Sequence, residues 1–412
     1  MACVTIFCRD GHRHETLASS DLRNTSATFG SILSRMPQNG SHNILLPESC
    51  SETTQILSCL KNEDCQFASA DNAMQMYRIS KDYDITALKD TSRDAIIKLI
   101  RFSNLCSIYD FSYDEDDKLI QYYCWREFDS SWKLVFRHLD FLRCDEKIIE
   151  RIVSRPVYDT LDEINLIRGI YYWASEKIQA LGVVFQEDDF YVQMRTILEP
   201  FLPSIRVLAL SKDDLNTGIY DKFENILTEL EIRTIHDCIE RGSKNEKVPE
   251  CVCNTRVQRK YSDETWITYN HRGDPIRDVA KSSVTKKSEF VCEVKVEADC
   301  FLIKIMLPIG HKEENGIMID FSGYEDAPDN PIIENLSLQC NKQGVIKLDR
   351  PILLKKNSTY RFNAKITDEE KIPENSVQAD PQIHYFYKKG KQNPKISNTK
   401  VYFHITTYFL NY

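Results

Sequence analysis

The hydrophobic period changes once along this 412-residue chain, and that change limits the fold more than any other feature. Up to Glu240 most apolar residues recur at helical spacing. Beyond Asn254 they alternate in short runs cut by Gly, Pro, Asn and Asp. The pattern predicts a multidomain chain: an α/β region first, then an all-α spacer, then an all-β antiparallel sandwich.

The stretch from Leu142 to Ile178 organises the helical part. Ile148, Ile149, Ile152 and Val153 mark one buried helix face, and Ile164, Ile167, Tyr171 and Ala174 mark the next. Ser154-Arg155-Pro156 breaks the first helix, because the residue before a proline is pushed out of the α region. Thr160, with Glu163 three residues on, is positioned to cap the second. Nothing in this hairpin has the chemistry of an active site, so its expected work is to hold its flanks in a fixed geometry.

Earlier in the chain, Val4 to Phe7 reads as a strand, with a hairpin turn at Asp10-Gly11, and a helix follows over Leu22 to Met36. Asn43 to Pro47 reads as a buried strand. Ser49 and Glu52 form a capping box for a helix through Ile56, Leu57 and Leu60, and Cys65 to Ser69 alternates like an edge strand. Two helices, Ala73 to Tyr83 and Ile85 to Ile97, complete the region; Met76, Ile79 and Tyr83 read as core.

A formal charge of −9 lacks the concentrated basic surface that a nucleic-acid backbone or an anionic membrane would select, which leaves a protein as the expected partner. The first ten residues lack a signal peptide's basic start and apolar core, and no run nears the ~20 apolar residues of a membrane span. The expected location is the cytoplasm, or the nucleus. All fourteen cysteines are then expected as free thiols.

Sites for chemistry are sparse. Cys251-Val252-Cys253 lacks a second close ligand pair, and Cys8 with His12 and His14 reads as a solvated hairpin, so no metal or cofactor is expected. Asp114 to Asp117 lacks the glycine and distal glutamate of a calcium loop and reads as an acidic helix N-terminus. Lys286-Lys287 and Lys388-Lys389-Gly390-Lys391 read as solvated turns. None of the Gly-x-Ser-x-Gly, His-Glu-x-x-His, phosphate-loop or dinucleotide patterns occurs, and the chain is expected to be non-catalytic.

The first region resembles the BTB (POZ) domain, on Ser26-Ala27-Thr28-Phe29, Ile44-Leu45-Leu46-Pro47 and Lys81-Asp82-Tyr83-Asp84-Ile85. The helical region resembles the BACK domain, on Cys124-Trp125, Leu142 to Arg155, Glu163 with Trp173 ten residues later, and Glu199 to Arg206. The last region resembles the PHR domain, on Tyr261 to Arg272 with Trp266, Phe301 to Gly310, Thr359 to Ala364 and His384-Tyr385-Phe386. The domains implied are BTB-like 1–102, BACK-like 103–240, a linker 241–255, and PHR-like 256–412.

The resemblance implies a substrate-recognition adaptor of a cullin-3 RING ubiquitin ligase. Ala73, Met74, Tyr77, Tyr83, Phe102 and Leu105 would meet the cullin, and Tyr324, Tyr385 and Tyr387 an unknown protein substrate. It leaves a homodimer through the first region as one option. Asp71-Asn72-Ala73-Met74-Gln75 departs from the apolar-x-acidic motif of such adaptors, so the alternative is an interaction scaffold that no longer recruits a cullin.

Overall fold

A computed structural model of the chain describes residues 3–37, 40–61, 63, 65–155, 158, 160–182, 187–242, 248–259, 268–269, 289–295, 299–307, 316–326, 330–342, 344–355, 357–367, 383–384 and 404–409. Helices dominate the first part of the chain and antiparallel strands the last. Contacts divide it into two compact units, Met1–Ile148 with Tyr171–Val184, and Ile149–Ile170 with Phe185–Tyr412.

The first unit opens with β1 (Cys3–Phe7), β2 (Arg13–Ala18), α1 (Ser19–Thr25), α2 (Ala27–Ser34), β3 (Ser41–Leu45), α3 (Cys50–Leu60), α4 (Ala70–Asp82) and α5 (Thr86–Leu99). The strands form a sheet in the order β2-β1-β3, with β1 antiparallel to β2 and parallel to β3. Gly11, at φ 76°, takes the left-handed position of the β1–β2 turn. The helix expected over Leu22 to Met36 is two helices, because Ser26 leaves the helical region to cap α2. Its Oγ accepts from Phe29 N–H at 3.0 Å and donates to Tyr83 O. Phe29 thereby stacks on Tyr83 with ring centroids 5.1 Å apart, in one core with Val4, Ile6, Ile56 and Met76.

Two expectations fail here. Cys65 to Ser69 is not a strand: Gln55 Nε2 donates to Gln66 O at 2.9 Å and Phe67 leans on the core, so side chains rather than a strand partner fix this backbone. The fourteen free thiols become fewer, because Cys8 and Cys50 are disulfide-bonded, with Cα atoms 5.2 Å apart.

The helical series continues as α6 (Leu105–Asp114), α7 (Lys118–Val135), α8 (Leu139–Leu142), α9 (Glu146–Ser154), α10 (Glu163–Ala180), α11 (Glu187–Leu198), α12 (Lys212–Leu215), α13 (Gly218–Glu224) and α14 (Glu229–Glu240). Single 3-10 turns stand at Leu202–Ser204 and Val207–Ala209. The apolar positions read for α9 and α10 are all buried. Trp173 buries its ring completely and donates its Nε1–H to Cys144 O at 3.0 Å, and Lys177 lies 4.7 Å over the ring.

The cap of α10 is Asp162, not Thr160: its Oδ1 accepts from Asn165 N–H at 3.1 Å. That frees the Glu163 carboxylate, which is wholly buried and accepts from Arg206 N–H at 2.6 Å and from the Arg259 guanidinium. The stretch just before the strands is thus tied to helical residues, as are Gln258 to Ala209 O at 3.1 Å and Arg206 to Val257 O at 3.1 Å.

A second buried carboxylate secures α14. Glu231 shares a capping box with Thr228, accepts from both Arg195 nitrogens at 2.8 and 2.9 Å, and accepts from Cys251 Sγ at 2.5 Å. Burial pushes its pKa up, but bonds from Arg195, Cys251 and Thr228 N–H outweigh that and hold it below the ordinary carboxylate value. Because the unfolded value is about 4.3, this stabilisation is fully present above that pH and is lost as pH falls through the folded value. Urea unfolding should therefore show Glu231→Gln less stable than the parent by roughly 2–3 kcal/mol at neutral pH, with the gap closing toward pH 3. A gap independent of pH would contradict this account.

The last part comprises β4 (Thr268–Tyr269), β5 (Glu289–Lys295), β6 (Cys300–Met306), β7 (Ile317–Glu325), β8 (Pro331–Cys340), β9 (Val345–Leu354), β10 (Thr359–Ile366), β11 (Ile383–His384) and β12 (His404–Phe409). β4 pairs with β11. The others form one curled antiparallel sheet ordered β12-β6-β9-β8-β7-β10-β5. Two-residue alternation puts Ile317, Ile319 and Phe321 of β7 and Tyr360, Phe362, Ala364 and Ile366 of β10 into one core. Phe321 and Phe362 stack at 5.7 Å.

Candidate protein-interaction face

α4 is capped by Ser69, whose side chain accepts from Asn72 N–H at 3.1 Å. Its inward stripe is wider than one row. Ala73, Met76 and Tyr77 are all but inaccessible, and Ile79 and Tyr83 are buried beside them. Met76, Ile79 and Tyr83 are core, as the spacing suggests. Tyr77 is also held inward by polar bonds: its hydroxyl donates to Asp117 Oδ2 at 2.8 Å, and its ring meets Phe111 edge-on at 5.5 Å. Burial first, then the Asp117 charge, push the phenol's pKa well above its ordinary value, so it stays a neutral donor.

Asp117 is the hub of this face. It caps α7 by accepting from Leu119 and Ile120 N–H at 3.1 and 3.2 Å, and takes Arg93 Nε–H at 2.6 Å. The acidic run is therefore not one solvated helix N-terminus. Asp114 ends α6, Glu115 and Asp116 form the turn with Asp116 at φ 53°, and Asp117 caps α7. Glu115 binds Arg78 at 3.1 Å and Lys81 at 2.6 Å. Those two cations lie on the outer side of α4, so its most prominent charges are already matched.

Of the six residues the resemblance put against a cullin, Ala73, Tyr77, Tyr83 and Leu105 are buried. Met74 and Phe102 are half-buried and keep surface to offer. Phe102 meets His138 edge-on at 5.6 Å, and Leu139, next in the chain, is 51% exposed. Asp140 joins the same corner by accepting Cys106 N–H at 2.6 Å and Ser107 N–H at 3.3 Å at the start of α6. Spacing did not single out Leu139 or Tyr113, which is 45% exposed. Their signal was an apolar residue out of phase with the buried stripe.

In the sheet, Tyr324 is half-buried at the end of β7, opposite Arg361 of β10. Tyr385 and Tyr387 lie outside the described residues, as do Trp266 and both lysine clusters. Next to Tyr324, Glu325 accepts from Ser358 Oγ at 2.8 Å and Tyr360 OH at 3.0 Å. These bonds, Ser358 foremost, lower its pKa. The group is a strand-end clasp. Cys251 donates its Sγ–H to Glu231 at 2.5 Å.

No protein-family profile matches the chain, and no curated protein matches it. Among solved structures, a family GH115 4-O-methyl-α-glucuronidase, BtGH115A, with specificity for decorated arabinogalactans, aligns at 10% identity with a TM-score of 0.14. The alignment covers 89% of this chain and 53% of that one, so the chain spans about half the length of the structure it matches. A TM-score this low carries no structural argument.

Proposed function

We propose that the chain is a non-catalytic adaptor: a BTB-like first region docks a cullin-3 scaffold, and a PHR-like C-terminal sandwich binds a protein substrate. One observation carries the reading. A small three-stranded sheet with its covering helices, a helical series and an antiparallel sheet follow one another in the order the resemblance implies. Catalysis would belong to the partners. The adaptor's contribution is effective concentration, holding a lysine-bearing target near a charged conjugating enzyme.

A second reading, a scaffold that does not recruit a cullin, is favoured by the burial of Ala73, Tyr77, Tyr83 and Leu105 and by the pairing of Arg78 and Lys81 with Glu115. Isothermal titration of the full chain with a cullin-3 N-terminal domain decides between them. The adaptor reading expects micromolar or tighter binding that Met74→Arg weakens at least about tenfold, or ~1.4 kcal/mol. No binding at tens of micromolar removes the cullin role and leaves the scaffold.

A further inference from the structure

Two connections of the first unit, distant in sequence, bring three ligand atoms to one place. Cys8 follows β1 and is fully buried, Asp10 stands in the β1–β2 turn, and Cys50 is the first residue of α3. The two Sγ atoms and an Asp10 carboxylate oxygen all lie within 4.8 Å of one another. Their backbone is tied down on both sides. Gly11 N–H donates to Cys8 O at 2.8 Å, Cys8 N–H donates to His12 O at 3.1 Å, and Arg9 N–H donates to Glu48 O at 2.9 Å. The last bond joins the hairpin to the segment that enters α3.

The donor set has a definite preference. Thiolate sulfur selects zinc over magnesium or calcium, and two thiolates with one carboxylate suit a tetrahedral ion with one further position. Cys50 opens an 11-residue helix, where the N-terminal dipole favours the thiolate. An aspartate 3.8 Å from Cys50 Sγ would repel two thiolates unless a cation lay among them. We infer that, with Cys8 and Cys50 reduced, the Cys8–Asp10–Cys50 cluster is a zinc site, its fourth position held by water or another exchangeable ligand. The disulfide is the oxidised alternative, and the two states exclude each other because a disulfide sulfur is no thiolate donor.

The conversion balances. A two-electron reductant of the thiol or phosphine class breaks the S–S bond, which takes up two electrons and two protons. A dithiol closes into its own disulfide; a phosphine leaves as its oxide, with oxygen and protons from water. Zn²⁺ then displaces one proton from each thiol as two Zn–S bonds form, and Asp10 joins as the carboxylate.

Cobalt(II) titration of the full chain, reduced with tris(carboxyethyl)phosphine under anaerobic conditions, tests the inference, with zinc added afterwards as competitor. The expected result is one equivalent of cobalt with thiolate-to-metal absorption that zinc abolishes. Cys50→Ser should remove about half or more of that absorption. Asp10→Asn, an exposed turn substitution that keeps the parent's circular dichroism melt, should weaken zinc about tenfold or more. Absorption that persists in a Cys8→Ser, Cys50→Ser double variant overturns the site. So does a reduced parent chain that takes up no cobalt, or a Cys8–Cys50 cross-linked peptide that survives the reductant in mass spectra.

Discussion

Arg259→Ala should destabilise the full chain by about 3–5 kcal/mol, read as a shift in the urea midpoint. The side chain is 3% exposed, and its guanidinium is spent on four acceptors: the Glu163 carboxylate, Val153 O and Ser204 O at 2.5 Å each, and Arg155 O at 2.8 Å. Truncation would leave a wholly buried carboxylate with only Arg206 N–H at 2.6 Å among these bonds, and three carbonyls would lose a charged donor. The loss comes from the uncompensated charge left behind, not from the attraction removed. Arg259→Lys should therefore recover only part of it, because an ammonium cannot fork to four acceptors. Combining Arg259→Ala with Glu163→Gln should cost clearly less than the sum of the single losses. Additive losses, or an alanine variant within ~1 kcal/mol of the parent, would show that the pair does not hold this region.

The same pair shows how far local reading reaches. The period gave α9 and α10 and their buried faces, because burial on one side of a helix is written in spacing. Glu163 and Trp173 could be marked as a pair, but their tasks could not. Glu163 looks like a capping partner for Thr160, yet it faces Arg259, 96 residues away. The Cys8–Cys50 bridge, 42 residues apart, is hidden for the same reason. α4 is a different case. The resemblance set Tyr77 against a cullin, whereas the ring is buried and its hydroxyl donates to Asp117. Composition cannot separate a helix buried on a wide arc from one with an exposed apolar face. Alternation likewise announced short strands beyond Asn254, but not the order β12-β6-β9-β8-β7-β10-β5, which depends on long-range pairing.

Asp117 carries the second large effect. Asp117→Ala removes three things at once: the N-cap of α7, the acceptor for the Tyr77 hydroxyl, and the buried one of the two carboxylates that bind Arg93, since Asp90 is half exposed. A lost cap costs about 1 kcal/mol, and a buried hydroxyl or guanidinium left short of a partner costs roughly 1–3 kcal/mol each. The expected total is about 3–5 kcal/mol, because the three share one carboxylate and do not add fully. Asp117→Asn separates them: the amide oxygen can still accept from Leu119 and Ile120 N–H, so the cap survives while Arg93 loses its buried carboxylate and keeps only the half-exposed one of Asp90. Its expected loss is about 2 kcal/mol. Hydrogen exchange should then distinguish the variants, with protection in the first turn of α7 kept in Asp117→Asn and lost in Asp117→Ala. Equal losses and equal exchange would mean that the cap contributes nothing. A loss under ~1 kcal/mol in both would mean that Tyr77 is held inward by packing alone, so that the inner wall of the proposed docking face does not depend on this carboxylate.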